Sequence, residues 1–420
     1  MGEFVVRGGH RLDGTVRING AKNAVLPIMA ASLLTDGPVI LRDVPRIRDV
    51  AVMADVLTAL GAIVERTGQS LAIDARGVDR FQVPELLMQE MRASIFVMGP
   101  LLGRLGRAAI VQPGGCAIGD RPINLHLAGF QALGAEVSED AGGTLVVSPR
   151  LQGAEIHLSY PSVGATENLM MAAVMADGET RIRNAAMEPE VVDLAQFLER
   201  MGARIRGAGT PEIRVRGSAH LSGADHTVIP DRIESATFAL AVAASGGTVR
   251  LENCLVDHLP GLWEYLRVLG CSTRFDDNDA VQVECPSEYA PRAISVYTGP
   301  YPGFATDMQA QFMAFLLKVP GVHYISERVF ENRLGHAAEL RRLGARITAD
   351  QRVAMVYGGG LLHPGTVRAQ DLRAGAGLII AALGIPGVTH ITNSAVIERG
   401  YENLAERLAT LGADVTCREA

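Results

Sequence analysis

A chain of 420 residues is longer than one hydrophobic core usually serves, so two domains are expected. A formal net charge of −7 leaves no basic face for non-specific nucleic-acid binding, and no apolar run reaches the roughly 18 residues of a membrane span. The five cysteines (116, 254, 271, 285 and 417) are scattered and form no C-x-x-C, and no H-E-x-x-H occurs. They read as thiols of a reducing cytosol, with neither a disulfide framework nor a metal site.

In chain order, residues 1–21 read as a strand pair, FVVRGG and GTVRIN, behind an MGEFVVRGGH start without the pattern of a signal peptide. An apolar helix core follows, VLPIMAASLL, then a strand, GPVILRDV, and an amphipathic stretch ending in TALGAIVE. This order recurs. QALGAEVS, ERMGARIR, RVLGCSTR, RRLGARIT and ATLGADVT repeat that ending, with glycines at 61, 134, 202, 270, 344 and 412. The pattern is helix, glycine cap, strand. Between these endings lie SIFVMGPLL, LMMAAVMA, TFALAVAA, QFMAFLLKV and LIIAAL, apolar on nearly every side and therefore buried all round. Six α/β units follow, three per domain, with buried helices inside and sheets outside: two similar domains of an inside-out α/β barrel type. The first domain is expected to span 22–229, and the second 1–21 plus 230–420, with an active site in the cleft between them.

The residues at the buried-helix starts carry chemistry. They are Lys22-Asn23, Arg92, Ser162 to Thr166, Asp231-Arg232, Thr306-Asp307 and Arg373. Ser162, Thr166, Asp231 and Thr306 suit capping. Lys22, Arg92 and Arg373 oppose the helix dipole, which points to a ligand with several negative charges. Lys22 and Lys318 are the only lysines among 39 basic residues. A compact ammonium at position 22 is thus an exception to this chain's use of arginine, whereas Lys318 reads as a cation near a helix end.

The most distinctive stretch is QPGGCAIGDRPINLH, residues 112–126. It is not a P-loop, because Gly119 is followed by Asp-Arg. Its glycines allow a loop that closes over a ligand, with Cys116 exposed and Arg121 favouring its thiolate.

NGAKNAVLPIMAAS, MRASIFVMGPLL, PGGCAIGDRPINLH, SVGATENLMMAA, PDRIESATF, FATDMQAQF, VFENR, DLRAGAGLIIAAL and ERGYENL together resemble the enolpyruvyl transferase family, in its UDP-N-acetylglucosamine 1-carboxyvinyltransferase branch, over essentially the whole chain. The resemblance implies a bacterial cytoplasmic enzyme of peptidoglycan synthesis. Its substrates would be phosphoenolpyruvate and UDP-N-acetylglucosamine, with no cofactor. It implies Cys116, Asp307, Lys22 and Arg399 as catalytic residues: Asp307 as general base for the 3′-hydroxyl, and Cys116 as general acid and as the target of the epoxide antibiotic fosfomycin. Phosphoenolpyruvate would meet Lys22, Asn23, Arg121 and Arg399, with Arg92 and Arg373 nearby. The nucleotide sugar would meet Arg92, Arg121, Pro122, Ile123, Asn124, Leu125, Ser162, Val163, Gly164, Asp307, Val329 and Arg333. Two positions depart from the family pattern: Asn124 where Asp is usual, and Gly375 where Ser is commoner.

Two other readings are weaker. The shikimate-branch synthase shares the architecture but lacks the loop cysteine. A ring that encircles DNA needs a basic lining, which the net charge of −7 opposes.

Overall fold

A computed structural model describes residues 2–111, 122–140, 143–218, 220–276 and 278–418. Cys116 and Arg121 lie outside the described residues. Two compact units emerge, one within residues 20–229 and the other formed by residues 2–19 with Pro230 onward.

Each unit holds three sheets. In the 20–229 unit the strand orders are Asp225–Thr227, Val39–Arg42, Ser70–Asp74, Ile63–Thr67; Arg107–Ile110, Gly143–Val147, Glu136–Asp140; and Arg204–Arg206, Glu212–Arg216, Glu179–Arg183, Glu155–His157. In five of the six sheets a strand that follows a buried helix pairs in parallel with a short edge strand. In the sheet of Arg107–Ile110 the edge strand shrinks to one parallel bridge, Gln82 to Ala109.

The other unit repeats the plan, with two substitutions that follow from connectivity. The strand before the first buried helix, Leu12–Arg17, serves as edge strand to Gly247–Glu252 of the fourth repeat. Reciprocally, Asp225–Thr227, just before the fourth buried helix, is edge strand to Val39–Arg42 of the first. The opening strand Glu3–Gly8 lies between Gly387–Thr392 and the last strand, Asp414–Arg418. It fills the place that the second hairpin strand fills in the other repeats, so the beginning of the chain completes the sixth unit.

The buried helices are Lys22–Ala31, Met98–Leu105, Val163–Ala173, Arg232–Ser245, Gln309–Leu316 and Leu372–Leu383. Within each unit they pack on one another. Arg232–Ser245 shows why an amphipathic pattern is absent: apart from its last residue, Ser245, every position is buried. The six repeat glycines all adopt left-handed φ, from 88° at Gly134 to 110° at Gly61. At Gly134, Gly202 and Gly270 a Cβ would meet no atom within 4 Å, so backbone conformation rather than space requires glycine there.

Three expectations need correction. Arg92 does not open an α-helix; it opens the 3₁₀ segment Arg92–Val97, and the helix begins at Met98. Pro100, without an N–H, falls in the first turn of that helix, where it removes no intrahelical hydrogen bond. Likewise Thr306 and Asp307 lie in a 3₁₀ turn, Thr306–Met308, ahead of Gln309. Finally, Cys271 and Cys285 form a disulfide. The register explains it, because Ser272 faces Glu284 and the two cysteines flank that pair across one hairpin.

Candidate active site

In the 20–229 unit Lys22 is the first residue of its helix, and its Nζ lies 2.8 Å from Asp49 Oδ2, a carboxylate only 3% exposed. The cation that opposes the helix dipole is therefore held by a buried acid from the start of the helix Arg48–Ala59. Asn23 and Arg92 are half-buried on the two segments that pack together here, Lys22–Ala31 and Arg92–Val97.

Beyond the 112–121 stretch, Pro122 and Asn124 are exposed while Ile123 and Leu125 rest on the core. Asn124 begins the helix Asn124–Ala132, and so has no acid to offer its dipole. Ser162 caps Val163–Ala173, its Oγ accepting from Ala165 N at 3.3 Å. Among the described residues the amides of Val163 and Gly164 have no hydrogen-bond partner, the arrangement that suits a helix start for an anion.

Sequence reasoning missed what lies behind this turn. A Cβ on Gly164 would sit 3.6 Å from Nε2 of His126, a buried imidazole. His126 Nδ1 accepts from Asn168 Nδ2 at 3.1 Å, whose side-chain oxygen in turn accepts from Gly99 N at 2.8 Å. Burial, aided by the positive Arg92, pushes the His126 pKa down to about 4. The ring is therefore neutral at physiological pH, with its proton on the nitrogen near Gly164. Deeper, Glu167 has no exposed surface, and neither carboxyl oxygen has a partner among the described residues. Burial first, then Glu190 and Glu188, hold its pKa well above the ordinary carboxyl range.

In the other unit Asp307, Arg333 and Arg373 do come together. Asp307 Oδ1 accepts from Arg333 Nη2 at 2.9 Å and its Oδ2 from Arg373 Nη2 at 3.2 Å. Both arginine side chains are 4% exposed and the aspartate 26%. Arg373 is the second residue of its helix, and Asp371, which the sequence reading did not single out, caps that helix by accepting from the amides of Arg373 and Ala374. Arg373 Nη1 donates to Tyr401 Oη at 3.0 Å. That buried hydroxyl also meets Thr237 and Gln311. Burial lowers the Arg373 pKa, but Tyr401 and Asp307 more than offset it, so the guanidinium stays charged. Arg333 Nη1, by contrast, is buried without a partner among the described residues. The amide of Val329 is committed to Glu327 at 2.8 Å, which leaves the Val329 carbonyl as its backbone group for a ligand. Arg399 is half-buried at the end of the short helix Ala395–Glu398, two residues before Tyr401.

Two buried guanidinium groups around one carboxylate, and an ammonium at a helix start, are the polar equipment of an enzyme that handles compact anions. Residues 6–408 match the pattern of EPSP synthase (3-phosphoshikimate 1-carboxyvinyltransferase), and the chain belongs to that enolpyruvyl transferase family. Within it, the chain is 49% identical over 416 residues to UDP-N-acetylglucosamine 1-carboxyvinyltransferase 2 of Carboxydothermus hydrogenoformans, covering 99% of each chain. It is 48% identical over 413 residues to UDP-N-acetylglucosamine 1-carboxyvinyltransferase 1 of Caldanaerobacter subterraneus, covering 98% of this chain and 99% of that one. Among solved structures, the enolpyruvyl transferase NikO from Streptomyces tendae superposes with a TM-score of 0.89 at 27% identity, over 100% of this chain and 99% of that one. An EPSP synthase of Acinetobacter baumannii shares the fold, with a TM-score of 0.76 at 14% identity over 100% of each chain. Among the described residues no group of His, Cys, Asp and Glu could hold a metal ion, and no helix is long and apolar enough to cross a membrane.

Proposed function

We propose that this chain transfers the enolpyruvyl group of phosphoenolpyruvate to the 3′-hydroxyl of UDP-N-acetylglucosamine and releases phosphate, in a bacterial cytoplasm, as a step of peptidoglycan synthesis. The observation that carries the reading is identity of nearly one half, over almost the full length, to relatives that bear this activity in their names.

The reaction is an addition followed by an elimination. Asp307 takes the proton of the 3′-hydroxyl as its oxygen bonds to C2 of phosphoenolpyruvate, while the Cys116 thiol protonates the methylene carbon. The product is a tetrahedral ketal. Return of a proton from the new methyl group to the Cys116 thiolate re-forms the double bond as the C2–O bond to phosphate breaks.

Lys22, Arg121 and Arg399 hold the phosphate and carboxylate of phosphoenolpyruvate, with Asn23 on the reacting centre and Arg373 beside Asp307. The nucleotide sugar is held by Arg92, Pro122 to Leu125, Ser162 to Gly164, Val329 and Arg333. The helix-start amides of Val163 and Gly164 favour its anionic part, and Arg333 keeps one buried donor to give. The first domain, 22–229, then supplies Lys22 and the Cys116 loop, and the second supplies Asp307 and Arg399.

Phosphate release from phosphoenolpyruvate tests the function. Release is expected with UDP-N-acetylglucosamine and not with shikimate 3-phosphate. Release with shikimate 3-phosphate alone would move the chain to the sister branch, and release with neither would leave the acceptor to be sought elsewhere.

A further inference from the structure

Four repeats place an Asn or Asp in left-handed backbone directly after the strand that follows the buried helix: Asp43 at φ 58°, Asn184 at 54°, Asn253 at 54° and Asn393 at 67°. Three of them make one joint. Asn184, Asn253 and Asn393 each donate through Nδ2, at 2.8 Å, to the carbonyl just past the parallel edge strand: Leu158, Ile18 and Ala369. The fifth repeat departs from this. Gly321–Ser326 is followed by Glu327, outside the left-handed region, and the edge strand Ser295–Tyr297 by Thr298.

There the polarity of the joint is reversed. Glu327 has no exposed surface, and its carboxylate accepts four hydrogen bonds. Oε1 takes the Thr298 hydroxyl at 2.9 Å and the amides of Val329 at 2.8 Å and Phe330 at 3.1 Å. Oε2 takes the Thr306 hydroxyl at 2.9 Å. A buried carboxylate is costly unless fully bonded, and three other repeats join the same two strands with an amide. What the acid adds is reach: one rigid group holds the edge strand, the turn toward Arg333 and the 3₁₀ turn that carries Asp307.

We propose that Glu327 is a positioning residue of the transferase site. It sets Asp307 through the Thr306 hydroxyl, and the Val329–Arg333 turn through two amides. The proposal rests on the reading of Asp307 and Arg333 as site residues.

Thr306→Val removes only the arm to Asp307 and nearly keeps side-chain shape; Thr306→Ser keeps the hydroxyl. For Val, kcat of phosphate release is expected to fall about 10- to 100-fold, because a misplaced catalytic group costs that much, while KM for phosphoenolpyruvate stays within about 2-fold. Ser is expected within about 3-fold of the native kcat. Glu327→Gln is expected to lie between them, since its amide can donate to the Thr306 hydroxyl. Native kcat in the Val variant, or Ser as impaired as Val, overturns the proposal. Substrate-free crystal structures give a readout independent of turnover. In Thr306→Val the Asp307 carboxylate should leave its present pairings with Arg333 and Arg373, and unchanged pairings also overturn the proposal. An inactive native protein would instead count against the functional reading.

Discussion

Lys22 in one unit and Asp307 in the other place opposite charges at or just ahead of a buried helix. Lys22 is a cation 14% exposed that pairs with a buried acid, Asp49. Asp307 is an anion 26% exposed and tied to two buried guanidiniums. The first arrangement exchanges easily: an ammonium has three donors, and an arriving phosphate or carboxylate can share it with Asp49. The second is stiffer. Each arginine is buried and donates to a different carboxylate oxygen of Asp307, Arg333 to Oδ1 and Arg373 to Oδ2. Under the function proposed above, Lys22 would receive the anionic substrate and Asp307 would serve as the base.

The comparison breaks most sharply at Asp307. Asp307→Asn keeps the size, and its side-chain oxygen can still accept from one arginine, but the base is gone. We expect kcat to fall on the order of 10²- to 10⁴-fold, the usual range for a general base, with far less change in KM. Steady-state phosphate release at saturating UDP-N-acetylglucosamine measures this. A fall under about 10-fold would remove Asp307 from the base role and leave it as an anchor for Arg333 and Arg373.

A smaller effect is expected at Lys22. Lys22→Arg keeps the charge but replaces a point donor with a planar fork that does not fit both Asp49 and a compact phosphate. One lost charge-assisted hydrogen bond, about 1.5–3 kcal/mol, corresponds to a rise of roughly 10- to 150-fold in KM for phosphoenolpyruvate. Titration of initial rates checks it, and an unchanged KM would mean that Lys22 serves Asp49 alone.

What the sequence made legible divides along the same physical line. The six glycine caps and six all-round apolar helices were readable because local backbone conformation and burial leave a periodic trace. The cations at helix starts were readable because they contradict the dipole. Their partners were not: Asp49 lies 27 positions from Lys22, and Tyr401 lies 28 from Arg373, so no local pattern joins them. The disulfide Cys271–Cys285 was hidden for the same reason, since hairpin register and not spacing places the two thiols together. Glu327 ends the strand PGVHYISE and directly precedes Arg328 and VFENR, but an acid at a strand end carries no local mark of the four hydrogen bonds it accepts.

The mildest test asks whether the buried acid behind Lys22's unit is protonated. Glu167 has neither oxygen bonded, and burial, Glu190 and Glu188 all favour its neutral form. The folded state therefore holds this proton more tightly than the unfolded chain, whose carboxyl titrates near 4.5. Its contribution to stability is complete below that value and declines as pH rises toward the folded pKa. Glu167→Gln removes the titration and keeps the shape. The Gln variant's melting temperature relative to native should thus rise as pH is raised above about 5. His126 drives the opposite trend, because its pKa of about 4 makes the fold lose stability as pH drops below the ordinary histidine value. That loss is common to both proteins and cancels in the difference between their melting curves. A difference that stays flat with pH would show Glu167 ionised in the fold, and the unit would then have to hold a buried negative charge next to Glu188 and Glu190.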